Sequence, residues 1–286
     1  MSRQASVPII LHRAADGLLM KCAAGLIALI VLGPLVWGLS TSLKTEVMAV
    51  HVPPEIIPWS LTFHNYLRAF QDQTFLTDLG NSVLYALGGV LVAFAVGIPA
   101  GYAAARFNFP QKRAIMLGIL ATSMVPSVAL LVPTYYVLDA LGLLNNRPVI
   151  VFLEAARIVP QTVWFLQGFI AAIPLEIEEA ALTDGASRPG VVRHLVLPLI
   201  KPGLAAVAMI DIVTIWNDYI TVAVFAPDIR TSTLQVALVN QVFDSTGISW
   251  SYMMAFAIIS SLPVMFLFAL VQKWFVAGLT AGAVKG

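Results

Sequence analysis

The stretch from Pro174 to Gly203 reads PLEIEEAALTDGASRPGVVRHLVLPLIKPG, and it separates two runs that are apolar enough to cross a bilayer. Its first part, Leu175 to Thr183, predicts a helix, because helix formers dominate it and glutamates occupy the first turns, where the helix dipole favours acidic side chains. The helix is expected to end at Asp184-Gly185, since glycine readily adopts the left-handed conformation that closes many helices. The pattern therefore indicates ordered structure rather than a slack linker.

A second short helix is predicted over Val191 to Leu197. Ser187 provides a cap for it and Pro189 a first-turn proline. Pro198 and Pro202 are expected to end it, because a proline ring obstructs a continuing helix. Together the two helices predict a compact helix-turn-helix at the membrane surface, with alanines small enough to let another protein approach closely.

The composition indicates a polytopic membrane protein. Hydrophobic residues make up 59% of the 286 residues, charged residues 11%, and the mean hydropathy is +0.88. Soluble domains carry about a quarter charged residues. A net charge of +1 gives no sign of nucleic-acid binding, and the single cysteine, Cys22, can form no internal disulfide and suggests no metal site.

Six apolar runs are long enough to span a membrane, since about 20 residues of helix cross about 30 Å of hydrocarbon. The predicted fold is therefore an all-α membrane protein with six transmembrane helices. The runs cover approximately Leu18–Leu39, Asn81–Ala105, Ala114–Leu138, Val149–Ile173, Gly203–Ala226 and Ser251–Val276. Within the second, the Gly97-x-x-x-Gly101 spacing predicts close packing against another helix.

The distribution of lysine and arginine predicts the orientation, because cytoplasmic loops carry an excess of both. With six spans the two termini lie on the same side as the Pro174–Gly203 loop. That side carries eleven basic residues: Arg3, Arg13, Lys21, Arg106, Lys112, Arg113, Arg188, Arg193, Lys201, Lys273 and Lys285. The opposite side carries four: Lys44, Arg68, Arg147 and Arg230. Both termini and the loop are therefore predicted to be cytoplasmic.

The string Glu179-Ala180-Ala181-x-x-Asp184-Gly185-Ala186, followed by Leu197-Pro198-Leu199 and Pro202, resembles the EAA loop of permease subunits in binding-protein-dependent ABC importers. The C-terminal run from Gln272 to Gly286 is similar to the carbohydrate-uptake branch, the maltose-permease-like subunits. Asn65-Tyr66 and Trp216-Asn217-Asp218 fit the same branch. The resemblance covers roughly residue 30 to the end.

The resemblance implies a subunit of the bacterial cytoplasmic (inner) membrane that works with a homologous sister permease, two copies of an ABC ATPase and an extracytoplasmic solute-binding protein. It implies that this chain needs no cofactor, because ATP and Mg would be bound by the partner subunits. It also implies that the loop contacts the ATPase as a pair of coupling helices. The coupling residues would be Glu178, Glu179, Ala180, Ala181, Asp184, Gly185, Ala186 and Arg188.

Four charged residues lie inside predicted spans four and five: Glu154, Arg157, Asp211 and Asp218. A charge at mid-bilayer costs roughly 2.5 to 3.5 kcal/mol on insertion scales, so each needs a partner or water. Counting about 1.5 Å per residue places Arg157 level with Asp211, and Glu154 level with Asp218 nearer the outer face. Glu154 and Arg157 can also pair on one helix face. The charges form either a buried network that holds the helices together or part of a solute path.

The cluster Trp216-Asn217-Asp218-Tyr219 places two aromatic rings beside an amide and a carboxylate. Sugars offer hydroxyls to polar groups and C–H faces to aromatic rings, so the cluster is a candidate wall of a sugar path. Aromatic residues near a span end also occur as a membrane-interface belt. Both interpretations stay open for Tyr219, whereas Trp216 lies deeper.

The remaining segments divide the chain into a cytoplasmic tail (1–17), the six-span permease domain (18–276, with the coupling loop at 174–203) and a second cytoplasmic tail (277–286). The segment Ser40 to Gly80, with Trp59, Phe63 and Tyr66, is either an interfacial anchor or a contact for an external partner. The last residues form either a flexible tail or, as the resemblance allows, an extension toward the ATPase.

Nucleotide and catalytic motifs are missing from the sequence. It contains no Gly-Lys pair and hence no Walker-type phosphate loop, and neither His-Glu-x-x-His nor Gly-x-Ser-x-Gly. The chain is therefore predicted to be a transport subunit rather than an enzyme, with no metal site. An ion-coupled secondary transporter that uses Glu154 and Asp211 is the main alternative, and a membrane scaffold without transport is a second.

Overall fold

The structure is a computed structural model that describes residues 7–242 and 247–283, with side chains for residues 20–242 and 247–274. The described residues form helices and connecting loops without a strand. The helices are α1 (Val7–Ser42), α2 (Glu46–Ala49), α3 (His64–Gln71), α4 (Phe75–Arg106), α5 (Lys112–Thr122), α6 (Ser127–Ala140), α7 (Arg147–Ala171), α8 (Leu175–Thr183), α9 (Arg188–Leu199), α10 (Lys201–Trp216), α11 (Ile220–Phe225), α12 (Leu234–Asn240) and α13 (Trp250–Ala283).

Four of these helices are long and apolar enough to cross a membrane as single rods: residues Met20–Ser42 of α1, all of α4, all of α7, and Trp250–Trp274 of α13. Two further crossings are possible if each of two bent helix pairs counts as one span. Helices α5 and α6 meet at 83°, and α9 and α10 meet at 78°. The six predicted spans therefore correspond to four long helices and up to two broken ones.

The third and fifth predicted spans are not continuous helices. In the third, Pro126 stands immediately before α6 with an extended backbone (φ −58°, ψ 121°) and ends the run that α5 begins. In the fifth, α10 stops at Trp216 and a separate helix, α11, begins at Ile220. Near the start of α11 the Thr221 N–H donates to the Asp218 carboxylate (2.8 Å). Apolar composition predicts a crossing but does not reveal such breaks.

The chain divides into two units, residues 1–69 with 245–259 and residues 70–244 with 260–286. The second unit is organised around α4 and α7. A Cβ placed on Gly101 would lie 3.1 Å from the backbone nitrogen of Gln167, and one on Gly97 would lie 3.0 Å from the Thr162 methyl group. These contacts confirm the close packing predicted from the Gly97-x-x-x-Gly101 spacing.

The coupling-loop end of this unit has a buried apolar cluster of its own. Its members come from α4, α7, α9 and the adjoining loops, and they are Tyr102, Ile170, Ile173, Val191, Val196 and Ile200. Gly203, at the start of α10, approaches the Phe169 ring so closely that an added Cβ would lie 2.6 Å from it. The Pro174–Gly203 loop is thus packed against the ends of the spans through this cluster.

In the first unit, polar side chains order the segment that follows α1. The Asn65 amide donates to the backbone carbonyls of Ser42 and Lys44, each at 2.9 Å. The Glu46 carboxylate accepts four hydrogen bonds from the residues that begin α13, Ser249 to Ser251. Residues 20–40 of α1 contain no buried side chain, and the Trp59 side chain is 90% exposed.

Helical structure extends into both predicted tails, whose position relative to the membrane stays a prediction. Helix α1 already begins at Val7, inside the predicted tail 1–17, and α13 continues to Ala283, inside the predicted tail 277–286. Residues 1–6 and 284–286 lie outside the described residues, as do residues 243–246 of the predicted outer loop.

Candidate functional site

Helix α8 ends as the sequence predicts, in a turn closed by Gly185. The Gly185 N–H donates to the Leu182 carbonyl (3.1 Å) and the Ala186 N–H to the Ala181 carbonyl (3.0 Å). Gly185 has φ +88°, in the left-handed region. This is the Schellman arrangement, which satisfies the last carbonyls of the helix and fixes the direction in which the chain leaves it. The turn is therefore rigid although it is exposed.

A buried ion pair fastens α8 to the end of α4. The Glu178 carboxylate lies 2.6 Å from the Arg106 guanidinium, and both side chains are at least nine-tenths buried. The second carboxylate oxygen accepts from the Tyr102 hydroxyl (3.0 Å). Arg106 Nη2 also donates to the carbonyls of Ile170 (2.9 Å) and Ile173 (3.0 Å), at the end of α7. One arginine thus joins α4, α7 and α8.

The outer face of α8 and its turn is free of side-chain partners within the described residues. Five of its exposed residues, which we call the coupling surface, are Glu179, Ala180, Asp184, Gly185 and Ala186. Three of the five have side chains no larger than a methyl group, so a partner can approach the backbone closely. Ala181 is half-buried against the cluster beneath, and Glu178 points inward, away from this surface.

Helix α9 has the predicted cap at Ser187, but it begins at Arg188, before the predicted Val191, and ends at Leu199, after the predicted Leu197. The Ser187 hydroxyl accepts from the Gly190 N–H (3.3 Å), as a cap does. The helix then passes through Pro198 to Leu199, so the prediction that Pro198 ends it is wrong. Residues Val192–Val196 form a π-helical turn directly before that proline. The turn shifts the hydrogen-bond register there, and the bend between α9 and α10 falls at Ile200 instead.

Arg188 lies at the start of α9 and is exposed. Its guanidinium carbon stands 5.1 Å from the centre of the Phe107 ring, a cation–π distance. The two side chains line a groove of about 460 Å³ between the end of α4 and α9. Of the predicted coupling residues, Arg188 thus lies beside the coupling surface rather than on it.

Three of the four charged residues in the spans come together. The Arg157 guanidinium lies 2.6 Å from the Glu154 carboxylate and 3.1 Å from that of Asp218. Glu154 is fully buried, whereas 30% of the Arg157 side chain is exposed. The predicted pairing of Glu154 with Arg157 is confirmed, and so is the common level of Glu154 and Asp218. The pairings offset part of the cost of placing charges in the bilayer.

Asp211 is separate from this cluster. Its carboxylate accepts from the Thr162 hydroxyl (2.8 Å), more than one helical turn along α7 from Arg157, and it is fully buried. The prediction that Arg157 and Asp211 share a level is therefore wrong. Arg157 lies eight residues from the outer start of span four at Val149 but sixteen from its inner end at Ile173, whereas Asp211 lies only eight residues from the inner start of span five at Gly203. Equal counts from opposite faces of the membrane therefore do not place the two residues at one level.

The aromatic cluster is only partly open. Trp216 is buried, and its indole N–H donates to the Ser260 carbonyl (3.1 Å), so its ring faces are packed in this conformation. Asn217 is exposed, and its amide donates back to the Val213 carbonyl. Asp218 starts α11 and contacts Arg157. Among these neighbours, the polar side chains that remain at least partly exposed are those of Asn217, Arg157 and Asp218.

A family described as "Binding-protein-dependent transport system inner membrane component" matches residues 97–281. The matched range includes α8, α9, the Glu154–Arg157–Asp218 cluster and Asp211. The chain belongs to this family. The resemblance drawn from the EAA loop and the C-terminal run is thereby confirmed, and the ion-coupled alternative gains no support.

Curated relatives of this permease are similar over most of their length. The diacetylchitobiose uptake system permease protein DasC of Streptomyces coelicolor is 30% identical over 254 residues, covering 88% of this chain and 91% of that protein. The trehalose/maltose transport system permease protein MalG of Thermococcus litoralis is 30% identical over 271 residues, covering 94% and 97%. Both relatives are permeases of sugar transport systems.

A solved structure supports the fold of the permease. A chain of a bacterial ABC transporter involved in the import of the acidic polysaccharide alginate superposes with a TM-score of 0.79. The match covers 96% of the permease and 100% of that chain at 23% sequence identity. At this identity the likeness concerns the fold alone, and it confirms the all-α membrane architecture.

Sequence reasoning missed three residues that hold the site together. In the sequence, Arg106 is only one of the basic residues that indicate the orientation, and no motif distinguishes Tyr102. Thr162 could have been found from helical periodicity, because it follows Glu154 by eight residues and so shares its face of α7. No sequence pattern connects Arg106 with Glu178, which are 72 residues apart.

Proposed function

We propose that this permease is the membrane subunit of an ATP-driven sugar importer, and that the coupling surface contacts a separate ATPase. The observation that carries the proposal is the way α8 is held. Its turn is rigid, its outer face is exposed and carries small side chains, and Glu178 anchors its inner face to α4 and α7 through Arg106. A force applied to the coupling surface would therefore reach two spans directly.

The transport cycle follows from this connection. Closure of an ATPase pair on ATP and Mg would displace α8, and the bent pairs α5–α6 and α9–α10 would allow the spans to change between inward-open and outward-open states. ATP and Mg belong to the ATPase in this scheme. Glu179 would make a polar contact with it, and Arg188 would line the edge of the contact.

The solute path is proposed to lie between this permease and a homologous sister permease. Residues 20–40 of α1 are mostly apolar and are not buried within the chain, so their side chains are free to contact a second chain or lipid. Asn217, Arg157 and Asp218 offer polar groups toward the path, whereas the fully buried Glu154 supports Arg157. The relatives of sugar transport systems favour a mono- or oligosaccharide as the solute.

The remaining partners follow from the family. An extracytoplasmic solute-binding protein would deliver the sugar, and two copies of the ATPase would stand on the cytoplasmic side. The excess of lysine and arginine beside the coupling loop supports the orientation with both termini in the cytoplasm.

Purification of the tagged permease from membranes of its host tests this function. We expect an ATPase subunit and a sister permease to co-purify, and uptake of the sugar bound by the cognate binding protein to require ATP. Uptake that persists without ATP and collapses with the proton or sodium gradient would contradict the proposal. Co-purification without any solute uptake would favour the scaffold.

A further inference from the structure

A cavity of about 300 Å³ opens on the side of the second unit between α4, α10 and α13. Its lining is almost wholly apolar and includes Phe94, Leu204, Met209, Ile212 and Leu267. It lies at the end of the bundle next to the coupling loop, because Lys201 begins α10 directly after α9. An apolar cleft at this position is not part of the coupling surface or of the charged cluster.

Two lysines and a tryptophan mark one end of the cavity. Lys201 and Trp274 are part of its lining. The Lys201 and Lys273 ammonium groups stand 5.5 Å and 4.6 Å from the centre of the Trp274 ring. Both lysines are exposed, and neither forms an ion pair with any side chain that the structure describes. Two positive charges thus lie within 5.5 Å of one ring at the end of an apolar cleft, and among the described residues neither has an acidic partner.

The cleft has the depth of one membrane leaflet. Lys201 and Ile212 are eleven residues apart on α10, about 16 Å along the helix axis. Half of a hydrocarbon core of about 30 Å is similar. Tryptophan and lysine are residues that occupy the headgroup level of a bilayer. The charged end of the cleft therefore lies where a lipid headgroup lies, and the apolar end where its acyl chain lies.

We propose that this cleft binds an anionic glycerophospholipid of the cytoplasmic leaflet. The phosphate headgroup binds between Lys201 and Lys273 beside Trp274, and an acyl chain follows Leu204 and Met209 toward Ile212. Charge complementarity selects this occupant, because a zwitterionic lipid or an apolar protein helix would leave the two lysines without an anion. Basic pockets between spans on this side of a membrane bind such headgroups.

Native mass spectrometry tests the site. The permease with its co-purifying subunits is released from nanodiscs that contain equal amounts of phosphatidylglycerol and phosphatidylcholine, and the retained lipids are counted. We expect phosphatidylglycerol to be retained in excess. The double variant Lys201→Gln/Lys273→Gln should lower the excess of phosphatidylglycerol over phosphatidylcholine, by roughly fivefold for each lysine removed. Ala208→Phe, which fills the cleft without changing a charge, should remove the retained lipid.

A charge-matched control separates the site from a general attraction of anionic lipid to a basic surface. Arg113→Gln with Arg193→Gln removes two exposed positive charges at the same end of the bundle but outside the cleft, and it should leave the excess unchanged. Three results would overturn the proposal: equal retention of both lipids by the unaltered permease, a loss in the control as large as in the lysine variant, or no retained lipid because a sister permease covers the cleft.

Discussion

Glu178 and Arg106 lie 2.6 Å apart although 72 residues separate them in sequence, and their buried ion pair joins helix α8 to the end of span α4. Arg106 extends this connection to α7 through the carbonyls of Ile170 and Ile173. Because all of these groups are buried and hydrogen-bonded, the pair holds one geometry.

Breaking the pair from one side should destabilise the permease strongly. Arg106→Gln leaves the Glu178 carboxylate buried with Tyr102 as its remaining donor, and a buried charge without its partner costs about 3–5 kcal/mol. We expect a lower melting temperature and reduced uptake per ATP hydrolysed. Adding Glu178→Gln removes the orphaned charge, so the double variant should be more stable than Arg106→Gln alone. A double variant that melts lower still would contradict this account.

Gly185 should tolerate asparagine but not valine. Valine at φ +88° is strained, because the left-handed region costs an ordinary residue about 1–2 kcal/mol and a β-branched one more. In Gly185→Val the α8 turn should open, and ATP hydrolysis should continue with little uptake. Asparagine adopts the left-handed region more readily, so Gly185→Asn should keep most of the coupling. The measurement is the ratio of sugar transported to ATP hydrolysed, and equal ratios in both variants would rule out the predicted role of the turn.

Arg157→Gln should reduce the amount of assembled complex. The substitution leaves fully buried Glu154 and neighbouring Asp218 without a cation. Adding Glu154→Gln should restore assembly in part, and Arg113→Gln, at an exposed arginine of α5, serves as the control. Size-exclusion chromatography after extraction measures the assembled fraction. Normal assembly of Arg157→Gln together with altered solute uptake would show that Arg157 acts only in the path and that assembly does not need the ion pairs.

The Glu46 carboxyl group should make the stability of the permease fall at acidic pH. Burial raises the pKa of Glu46, but the hydrogen bonds from Ser251, Trp250 and Ser249 outweigh it, so the pKa lies below its ordinary value of 4.5. A lowered pKa means that the carboxylate contributes stability above pH 4.5, and that this contribution is lost as the pH falls through the lowered pKa.

Melting temperatures between pH 7 and pH 3.5 check this dependence. Glu46→Gln should melt below the unaltered permease at neutral pH, and the two curves should converge at the acidic end. Glu176→Gln, at an exposed glutamate of α8, provides the control and should follow the unaltered curve throughout. If the melting temperatures of Glu46→Gln and the unaltered permease differ by the same amount at every pH, the ionised Glu46 carboxylate is not the source of the difference.

Local patterns predicted the local features of this fold. The cap at Ser187 and the left-handed turn at Gly185 each depend on a few neighbouring residues, and the Gly97-x-x-x-Gly101 spacing needs only one helix. All three are present in the structure. The pairing of Glu154 with Arg157 is also a property of one helix face.

Features that depend on packing could not be predicted in this way. The break after Trp216 arises within an apolar run, and hydropathy does not distinguish an interrupted crossing from a continuous one. The Asp211 carboxylate accepts from the Thr162 hydroxyl, and this contact between α10 and α7 depends on how the two helices pack. Glu178 and Glu179 are adjacent and chemically alike, so only the position of Arg106 shows which of the two faces inward.

Site-specific cross-linking from the coupling surface tests the central claim most directly. In a Cys22→Ser background, Ala180→Cys carries a photoactivatable maleimide in membranes of the host, and Trp59→Cys, on the segment after α1, serves as the orientation control. We expect Ala180→Cys to cross-link to an ATPase subunit, with a yield that changes when ATP is added, and only Trp59→Cys to react with an impermeant reagent from outside the cell. Labelling of Ala180→Cys from outside, or cross-links that never include an ATPase, would contradict the account.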